Sequence, residues 1–271
     1  MTEPRYTHGH HASVLRSHSN RNIANSAAYL EPELRDDATL LDVGAGPGTI
    51  TVDFARRVAH VTATELDDDA LSLSRDLARG EGLHNIAFEV QDVHSLSFSD
   101  DSFDIVHAHQ VLQHVADPVQ ALRELARVAR PGGVVAVRDA DYGGFIWHPQ
   151  SPELDHWLVL YRAAARANGG EPDAGRHLLA WANAAGLHDA VATASVWNYA
   201  DDDCRRWWGG MWADRILESA IARQLVGSGL ADRPRLRAIS AAWRDWAASP
   251  DGWFLVPHGE LVWRKPGGPL R

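Results

Sequence analysis

The sequence predicts an α/β fold, namely a doubly wound, mostly parallel sheet with helical cap insertions. Between about residues 38 and 140, short apolar runs alternate with segments of helical periodicity, which is the pattern of βαβ units. The first apolar run ends in a turn that contains Gly44, Gly46 and Gly48, where sheets of this class bind ligands. After Asp141 the alternation stops and Trp-rich helical segments follow, which we interpret as a cap over the ligand end of the sheet.

The elements of the regular part follow one another in a strict order. Strands are predicted at 39–44, 60–66, 86–92, 103–112 and 134–141, and helices at 49–59, 67–82 and 117–133. Pro118 favours the start of the last of these helices, and the Pro-Gly-Gly segment at 131–133 favours its end. The later part contains helices at 153–167, 175–187, 204–225 and 233–249, and strands at 190–200 and 252–266.

The bulk properties describe a globular chain and exclude several function classes. The chain has 271 residues, of which 45% are apolar, enough for a sizeable core. It contains no apolar run of signal-peptide or membrane-spanning length, so we expect a cytoplasmic protein without membrane contact. A formal charge of −10 argues against a nucleic-acid partner. Cys204 is the only cysteine, which excludes an internal disulfide, and Lys265 is the only lysine, which argues against Schiff-base chemistry.

The glycine turn and the acids that follow it indicate the kind of ligand. The glycine spacing differs from the dinucleotide fingerprint, and Asp42 precedes it inside the strand, where an acid favours an ammonium or sulfonium over a phosphate. Glu65 ends the second strand, roughly twenty residues further on, where a carboxylate can accept hydrogen bonds from ribose hydroxyls. Asp92 ends the third strand, where it can contact an adenine edge. Together these residues predict a nucleoside that lies across the centre of the sheet.

Four segments in this order resemble a known family. They are "LLDVGAGPGT", the acid in "ATELD", "VQDVHSLSFSDDSFDIVHAHQVLQHVADP" and "LRELARVARPGGVVAVRD". They are similar to the successive motifs of the Rossmann-like class I S-adenosylmethionine-dependent methyltransferases, of the small-molecule type that includes the ubiquinone/menaquinone group. The resemblance extends from about Arg21 to Asp139, and Ala45 stands where the family often has cysteine or glycine.

The resemblance implies S-adenosylmethionine as the cofactor and a set of contacts to it. It implies that the methionine part lies over the glycine turn, that Glu65 binds the ribose, and that the carbonyl near His109 faces the amino group. Arg21 is our candidate for the cofactor carboxylate. The full set of predicted cofactor-binding residues is Arg21, Asp42, Gly44, Ala45, Gly46, Gly48, Glu65, Leu66, Asp92, Val93, His109 and His114.

We divide the chain into three parts on this basis. Residues 1–36 form an N-terminal helical segment that covers the cofactor site, and residues 37–142 form the cofactor-binding core. Residues 143–271 supply the rest of the sheet and the helical cap insertions. The Trp-rich helices serve either as core packing or as the wall of an aromatic pocket. The candidates are Trp147, Trp157, Trp207, Trp208, Trp212, Trp243 and Trp246.

Methyl transfer from a sulfonium needs a positioned acceptor and, if the acceptor carries a proton, a base. Histidine suits this task near neutral pH, and His109, His11 and His8 are our catalytic candidates. The N-terminal histidines also include His10 and His18, and the "HGHH" segment is alternatively an exposed arm or an adventitious metal site. His114 is alternatively a helix-packing residue. Asp139 and Asp141 either cap the next segment or bind a divalent metal, and we expect no metal.

Three functions remain open at this point. The first is methyl transfer to an O, N, S or C atom of a small, hydrophobic or aromatic molecule. The second is a sensor or scaffold that binds the cofactor without turnover, and the third is a nicotinamide-dependent reductase. The absence of a Tyr-x-x-x-Lys pair argues against the reductase. We expect a monomer or a homodimer.

Overall fold

A computed structural model describes residues 20–267 and confirms the predicted fold class. The strands are β1 (Thr39–Val43), β2 (His60–Glu65), β3 (Ile86–Val90), β4 (Phe103–His109), β5 (Ala129–Ala140), β6 (Ile146–His148), β7 (Val191–Tyr199) and β8 (Trp253–Arg264). The helices are α1 (Ile23–Ser26), α2 (Thr49–Ala55), α3 (Asp68–Gly80), α4 (Pro118–Val128), α5 (Pro152–Ala167), α6 (Leu178–Ala185), α7 (Asp202–Glu218), α8 (Ala220–Gly227) and α9 (Arg233–Ala248).

The strands form one sheet in the order β3-β2-β1-β4-β5-β8-β6, and β7 also pairs with β8. Strands β1 to β5 are parallel, and β8 runs antiparallel to its neighbours. Leu255 of β8 pairs with both Ile146 of β6 and Asn198 of β7, so these two strands lie on opposite edges of β8. The strand order reverses between β1 and β4, and the carboxyl ends of these two strands therefore frame the crevice where such sheets bind ligands.

Local sequence signals explain where the core helices begin. The Asp67 side chain accepts a hydrogen bond from the backbone N–H of Ala70 at 2.8 Å and caps α3. Asp117 caps α4 in the same way through Gln120, and Pro118 occupies the first helical position, as predicted. These caps start both helices directly after the loops that leave the carboxyl edge of the sheet.

Several element boundaries differ from the sequence prediction, and three of the differences change the elements themselves. Helix α4 ends at Val128, and the Pro-Gly-Gly segment lies inside β5 instead of ending the helix. Strand β4 ends at His109, and residues Leu112–His114 form a short 3₁₀ turn. The long helix predicted at 204–225 is two helices, because Ser219 adopts an extended conformation between α7 and α8.

Most of the tryptophans of the cap form a core of their own. Trp157, Trp212 and Trp243 are almost fully buried, and the ring of Trp157 lies edge-on to the other two at centroid distances of 4.6 and 4.9 Å. Phe254 of β8 joins this cluster and connects it to the sheet. Helices α5, α7 and α9 are thus fixed to one end of the sheet by aromatic packing. Within residues 20–267, the structure has no helix long and apolar enough to cross a membrane.

Candidate active site

A cavity of about 550 Å³ lies at the carboxyl ends of β1, β2 and β4, under the cap helix α7. The predicted cofactor residues that line it are Arg21, Asp42, Gly44, Ala45, Gly46, Glu65, Leu66, Asp92, Val93, His109 and His114. The structure therefore brings residues from five separate segments of the chain to one place. The volume falls in the range of small-molecule sites in proteins.

The glycine turn is held against the end of β2 by its backbone. The N–H groups of Gly44 and Ala45 donate to the carbonyl of Thr64 at 2.9 and 3.1 Å. Gly44 has a φ of +70°, and a Cβ atom at this position would lie 2.4 Å from Cγ2 of Val111. The turn therefore requires glycine here both for its backbone conformation and for its close approach to the loop after β4.

Glu65 joins the turn to the end of β2. Its Oε1 atom accepts a hydrogen bond from the backbone N–H of Gly46 at 2.7 Å. Burial raises the pKa of the Glu65 carboxyl, and the hydrogen bond from Gly46 opposes this effect. The carboxylate borders the cavity, where its oxygens are within reach of a ligand's hydroxyl groups.

Gly48 is absent from the residues that line the cavity. It has a φ of +84°, and a Cβ atom there would lie 2.2 Å from Oγ of Ser74. Its contact is therefore with α3, and it allows α2 to start close to that helix. Gly44 and Gly48 therefore both require the absence of a side chain, but because of contacts with different parts of the chain.

Both carboxylate oxygens of Asp42 bind buried groups of the protein. Oδ2 accepts a hydrogen bond from the hydroxyl of Thr51 at 2.6 Å, and Oδ1 lies 2.8 Å from Nδ1 of His107. Asp42 lies at the border of the cavity, and these bonds connect β1 to α2 and to β4. Asp42 therefore holds the end of β1, which leads into the glycine turn, against α2 and β4.

The end of β3 carries an acid whose side chain closes its own turn. Asp92 accepts hydrogen bonds from the backbone and from the ring of His94 at 2.9 and 2.7 Å. Burial raises the pKa of Asp92, but these two bonds outweigh it, so the net shift is downward and Asp92 is ionised at neutral pH. Val93 is buried beside it, and Leu66, which also lines the cavity, is exposed.

Arg21 reaches the cavity from the N-terminal side. Its Nη2 atom donates to Oε1 of Gln110 at 2.6 Å, and its guanidinium lies 5.6 Å from the ring centre of Trp197. Gln110 has a φ of +55°, which is uncommon for a residue with a side chain and is often found at functional sites. Its Nε2 atom lies 2.9 Å from Nε2 of His258. The sequence pointed to Arg21, but it gave no sign of Trp197 or His258.

His109 lies buried at the end of β4, and neither ring nitrogen has a hydrogen-bond partner among residues 20–267. Its ring centre is 5.8 Å from that of Trp197 and 6.3 Å from that of His258. Burial, followed by the charges of Arg21 and Arg138, holds the pKa of His109 well below its usual value. The imidazole is therefore neutral at physiological pH and able to accept or donate a hydrogen bond.

The other predicted catalytic groups have different positions. His114 lines the cavity, and burial lowers its pKa to about 3. His8 and His11, like His10 and His18, lie outside the described residues. Asp141 accepts two hydrogen bonds from Arg176 at 2.5 and 2.6 Å, so both of its carboxylate oxygens are paired with this arginine. The Oδ1 atom of Asp139 accepts from the backbone of Gln113 at 3.0 Å.

The end of the cavity under the cap is aromatic. Of the tryptophans singled out in the sequence, Trp208 and Trp212 line it, and the other five are not among its lining residues. Further lining residues that the sequence did not single out are Tyr142, Phe145, Trp197, Arg215 and Val256. Tyr142 and Phe145 follow β5, so their place after a parallel strand was a signal that could have identified them.

Comparisons with known proteins match this chain to methyltransferases. A family model described as a methyltransferase domain matches residues 41–137. An uncharacterized methyltransferase of Schizosaccharomyces pombe is 33% identical over an alignment of 272 positions that covers 96% of this chain and 96% of that protein. The ubiquinone/menaquinone biosynthesis C-methyltransferase UbiE of Bdellovibrio bacteriovorus is 39% identical over 36% of this chain and 42% of its own length.

A solved structure shares the fold at low sequence identity. Phosphoethanolamine N-methyltransferase 2 of Haemonchus contortus, in complex with phosphomonomethylethanolamine and S-adenosylhomocysteine, superposes with a TM-score of 0.57 at 15% identity. The match covers 94% of this chain and 57% of that one. At this identity the likeness concerns the fold alone.

Proposed function

Because this chain belongs to the class I S-adenosylmethionine-dependent methyltransferases, we propose that it methylates a small, hydrophobic or aromatic metabolite. The enzyme class and the cofactor follow from the family. The observation that carries the choice of acceptor is the aromatic end of the cavity, which continues from the polar end without a break.

The polar end of the cavity fits S-adenosylmethionine in the chemistry of its groups. The carboxylate of Glu65 can accept hydrogen bonds from the ribose hydroxyls, and Asp92 can contact the edge of the adenine. The guanidinium of Arg21 can pair with the carboxylate of the methionine part. The glycine turn lets the backbone approach the ligand without side chains. We assign these residues to the cofactor, together with Gly44, Ala45, Gly46, Leu66, Val93 and the segment from His109 to His114.

The cofactor supplies an electrophilic methyl group on a sulfonium when it is bound. The task of the protein is then to align the acceptor atom opposite the S–CH3 bond and to exclude water. Tyr142, Trp208 and Trp212 line the end of the cavity where the acceptor would lie, and their apolar rings favour an apolar or aromatic molecule there. Neutral His109 is the candidate group that accepts a hydrogen bond or a proton from the acceptor.

We also propose that residues 1–36 act as a cover over the cofactor. Two contacts of the described part support this assignment, since Arg21 reaches the cavity wall and the indole N–H of Trp197 donates to the carbonyl of Asn25 at 2.6 Å. These contacts join the N-terminal segment to β7 beside the site. We keep the division of the rest of the chain, with residues 37–142 as the cofactor-binding core and residues 143–271 as the remainder of the sheet with the Trp-rich cap insertions.

The experiment that tests the proposal measures product. The purified protein is titrated calorimetrically with S-adenosylmethionine, S-adenosylhomocysteine and NADH, and then incubated with the first of these and a panel of aromatic, aliphatic and polar small molecules. We expect micromolar binding of the two adenosyl ligands, no binding of NADH, and release of S-adenosylhomocysteine with aromatic or apolar acceptors. Methyl transfer confined to polar aliphatic molecules would contradict the acceptor assignment.

A further inference from the structure

Gln110, the first residue after β4, lines the cavity and has an uncommon backbone conformation. Its φ of +55° lies in the left-handed region, where a residue with a side chain persists only if the surrounding structure holds it. Its backbone N–H donates to the carbonyl of Arg138 at 2.7 Å. Both ends of its side-chain amide also have partners, namely Arg21 and His258. The conformation of the loop after β4 therefore depends on the contacts of this residue.

His258 of β8 contacts the nitrogen end of this amide. It is only 1% exposed, and it is not among the residues that line the cavity. Its Nδ1 atom lies 3.1 Å from the carbonyl oxygen of Val256, and its Nε2 atom lies 2.9 Å from Nε2 of Gln110. Its ring also packs against Trp197 of β7 at a centroid distance of 4.3 Å. The imidazole is therefore held by packing on one side and by two polar contacts.

The chemistry of the partners determines where the protons lie in this chain of contacts. A carbonyl oxygen only accepts, so Nδ1 of His258 carries a proton and donates it to Val256. In the neutral ring Nε2 is then an acceptor, and it receives an N–H of the Gln110 amide. This orientation turns Oε1 of Gln110 towards Arg21, from which it accepts a hydrogen bond at 2.6 Å. One tautomer and one amide orientation thus satisfy every contact.

A protonated His258 would be incompatible with this arrangement. Both ring nitrogens would donate, so the amide of Gln110 would have to turn round and point its N–H groups at Arg21, which has no acceptor. Burial, followed by the charges of Arg138 and Arg21, holds the pKa of His258 well below its usual value. The ring is therefore neutral at physiological pH, in the form that the contact with Gln110 requires.

The loop that contains Gln110 lies where we place the amino-acid part of the cofactor. In the proposed site the carbonyl near His109 faces the amino group, and Arg21 pairs with the carboxylate. The next residue, Val111, comes so close to the glycine turn that a Cβ atom on Gly44 would lie 2.4 Å from its Cγ2 atom. The groups assigned to the amino-acid part are therefore all neighbours of Gln110 in the chain or in space.

We propose that His258 is a positioning residue for the amino-acid part of the cofactor, because it fixes Gln110 and, through it, the loop after β4. This inference rests on the proposed function, since it adds a residue to the same cofactor site. The acid assigned to the ribose ends β2, and β1, β4 and β5 lie between β2 and β8 in the sheet. Four strand spacings, roughly 19 Å, separate the two strands. The effect of His258 should therefore be confined to the amino-acid part.

The test compares two ligands that share the adenosine and the sulfur but differ in the amino-acid part. S-adenosylhomocysteine is titrated calorimetrically into the full chain, and methylthioadenosine, which carries only a methyl group at the sulfur, is measured by competition against it. His258→Phe keeps a ring in place but removes both nitrogens. We expect this variant to bind S-adenosylhomocysteine about five-fold or more weakly and methylthioadenosine with less than about a two-fold change.

Further variants separate positioning from general packing. His258→Gln keeps an acceptor near the place of Nε2 and should retain more affinity for S-adenosylhomocysteine than His258→Phe does. Gln110→Leu should lose at least as much as His258→Phe, and the double variant no more than Gln110→Leu, since the two side chains act through one contact. The matched control is Val262→Ala, a partly buried position on the same strand. It should lower the melting temperature without changing the ratio of the two affinities.

The outcomes separate this inference from the function on which it rests. Equal losses for both ligands in His258→Phe, unchanged binding of S-adenosylhomocysteine, or losses that add in the double variant would overturn the inference, whereas methyl transfer by the wild type would leave the proposed function standing. The expected losses without methyl transfer to any aromatic or apolar acceptor would overturn the proposed function instead.

The melting temperature and methylthioadenosine binding report whether each variant is folded. If His258→Phe is not folded, the ring nitrogen chemical shifts of His258 in the wild type decide, assigned by comparison with His258→Gln. A ring protonated at Nδ1 alone would sustain the inference, and a ring protonated at Nε2 would overturn it.

Discussion

The carboxylate of Glu65 accepts a hydrogen bond from the backbone N–H of Gly46 at 2.7 Å. One contact thus joins the glycine turn after β1 to the acid that ends β2, two features nineteen residues apart in the chain. Because β1 and β2 pair in register up to Val43 and Thr64, the sheet itself holds the two groups together. The carboxylate is therefore in position before a ligand binds, so binding does not have to supply the conformational entropy that ordering this side chain costs.

Replacing Glu65 tests its assignment to the ribose. We expect Glu65→Ala to weaken binding of S-adenosylmethionine about ten-fold or more, because hydrogen bonds to charged groups contribute roughly 1–3 kcal/mol. Calorimetric titration measures the effect. Glu89→Ala, which removes an exposed carboxylate from neighbouring β3, is the control and should leave the affinity unchanged. Equal affinities of the two variants would remove Glu65 from the cofactor site.

The same residue predicts a pH dependence of cofactor binding. Burial raises the pKa of Glu65, so this carboxyl takes up a proton at a higher pH than an ordinary glutamate does. A protonated carboxyl accepts fewer hydrogen bonds, and we expect the affinity to fall as the pH is lowered, beginning above the usual glutamate range. Titrations between pH 4 and pH 8 measure the dependence. Glu65→Gln should bind weakly and lack this step, and a step that persists in Glu65→Gln would assign it to another group.

Gly44→Ala tests the close approach of the turn to the loop after β4. The new methyl group would lie 2.4 Å from Cγ2 of Val111, at a φ of +70° that alanine seldom adopts, so the turn has to shift. We expect cofactor affinity to fall at least about ten-fold. Adding Val111→Ala removes the contact atom and should restore part of the affinity, although the backbone strain remains. Gly80→Ala, at a helix position with nothing within 4 Å, should leave the affinity unchanged.

His109 combines a cavity position with a pKa far below the usual value. If it receives the acceptor's proton, His109→Ala should lower turnover about a hundred-fold and leave cofactor affinity almost unchanged. Because its pKa lies well below 6.5, any loss of turnover caused by protonation of His109 should occur below that pH. Turnover is measured against pH with an acceptor found in the product assay. His84→Ala, at an exposed loop position, is the control. Unchanged turnover would move the assignment to His8 or His11.

The fold and half of the site could be predicted from the sequence because both depend on local signals. Apolar alternation marks buried parallel strands, and the residues at their carboxyl ends, such as Glu65 and Asp92, necessarily meet at one edge of the sheet. The aromatic half depends on where the cap helices dock. Trp208 and Trp243 both lie on Trp-rich helices, yet only the first lines the cavity. Helical periodicity does not distinguish a residue packed between helices from one beside a ligand.

Contacts between segments that are distant in the sequence could not be predicted either. Trp197 lies on β7, a strand at the edge of the sheet, and its bond to Asn25 and its position over Arg21 follow from the pairing of β7 with β8. Gly48 shows the opposite case, because it belongs to the glycine turn that the sequence predicts to bind the cofactor, but its missing side chain makes room for Ser74 of α3. A motif therefore identifies a turn without telling which of its residues touch the ligand.

Asp139 is a buried carboxyl at the end of β5 whose charge the fold tolerates poorly. Burial raises its pKa to about 7, and the hydrogen bond from the backbone of Gln113 only partly opposes this. Its Oδ2 atom has no hydrogen-bond partner among residues 20–267. An acid whose pKa is raised in the folded state holds a proton that the unfolded chain releases, so stability falls as the pH rises from the ordinary aspartate range to about 7.

Asp139→Asn removes this pH-dependent cost while its side-chain oxygen can still accept the bond from Gln113. We expect the variant to gain thermal stability relative to the wild type, and to gain more at pH 8 than at pH 5, because the ionised form is the one that burial disfavours. Differential scanning calorimetry at the two pH values measures the difference. Asp245→Asn, an exposed position on α9, should show no such pH-dependent gain. A gain of equal size at both pH values would mean that the buried carboxyl does not change its protonation on unfolding.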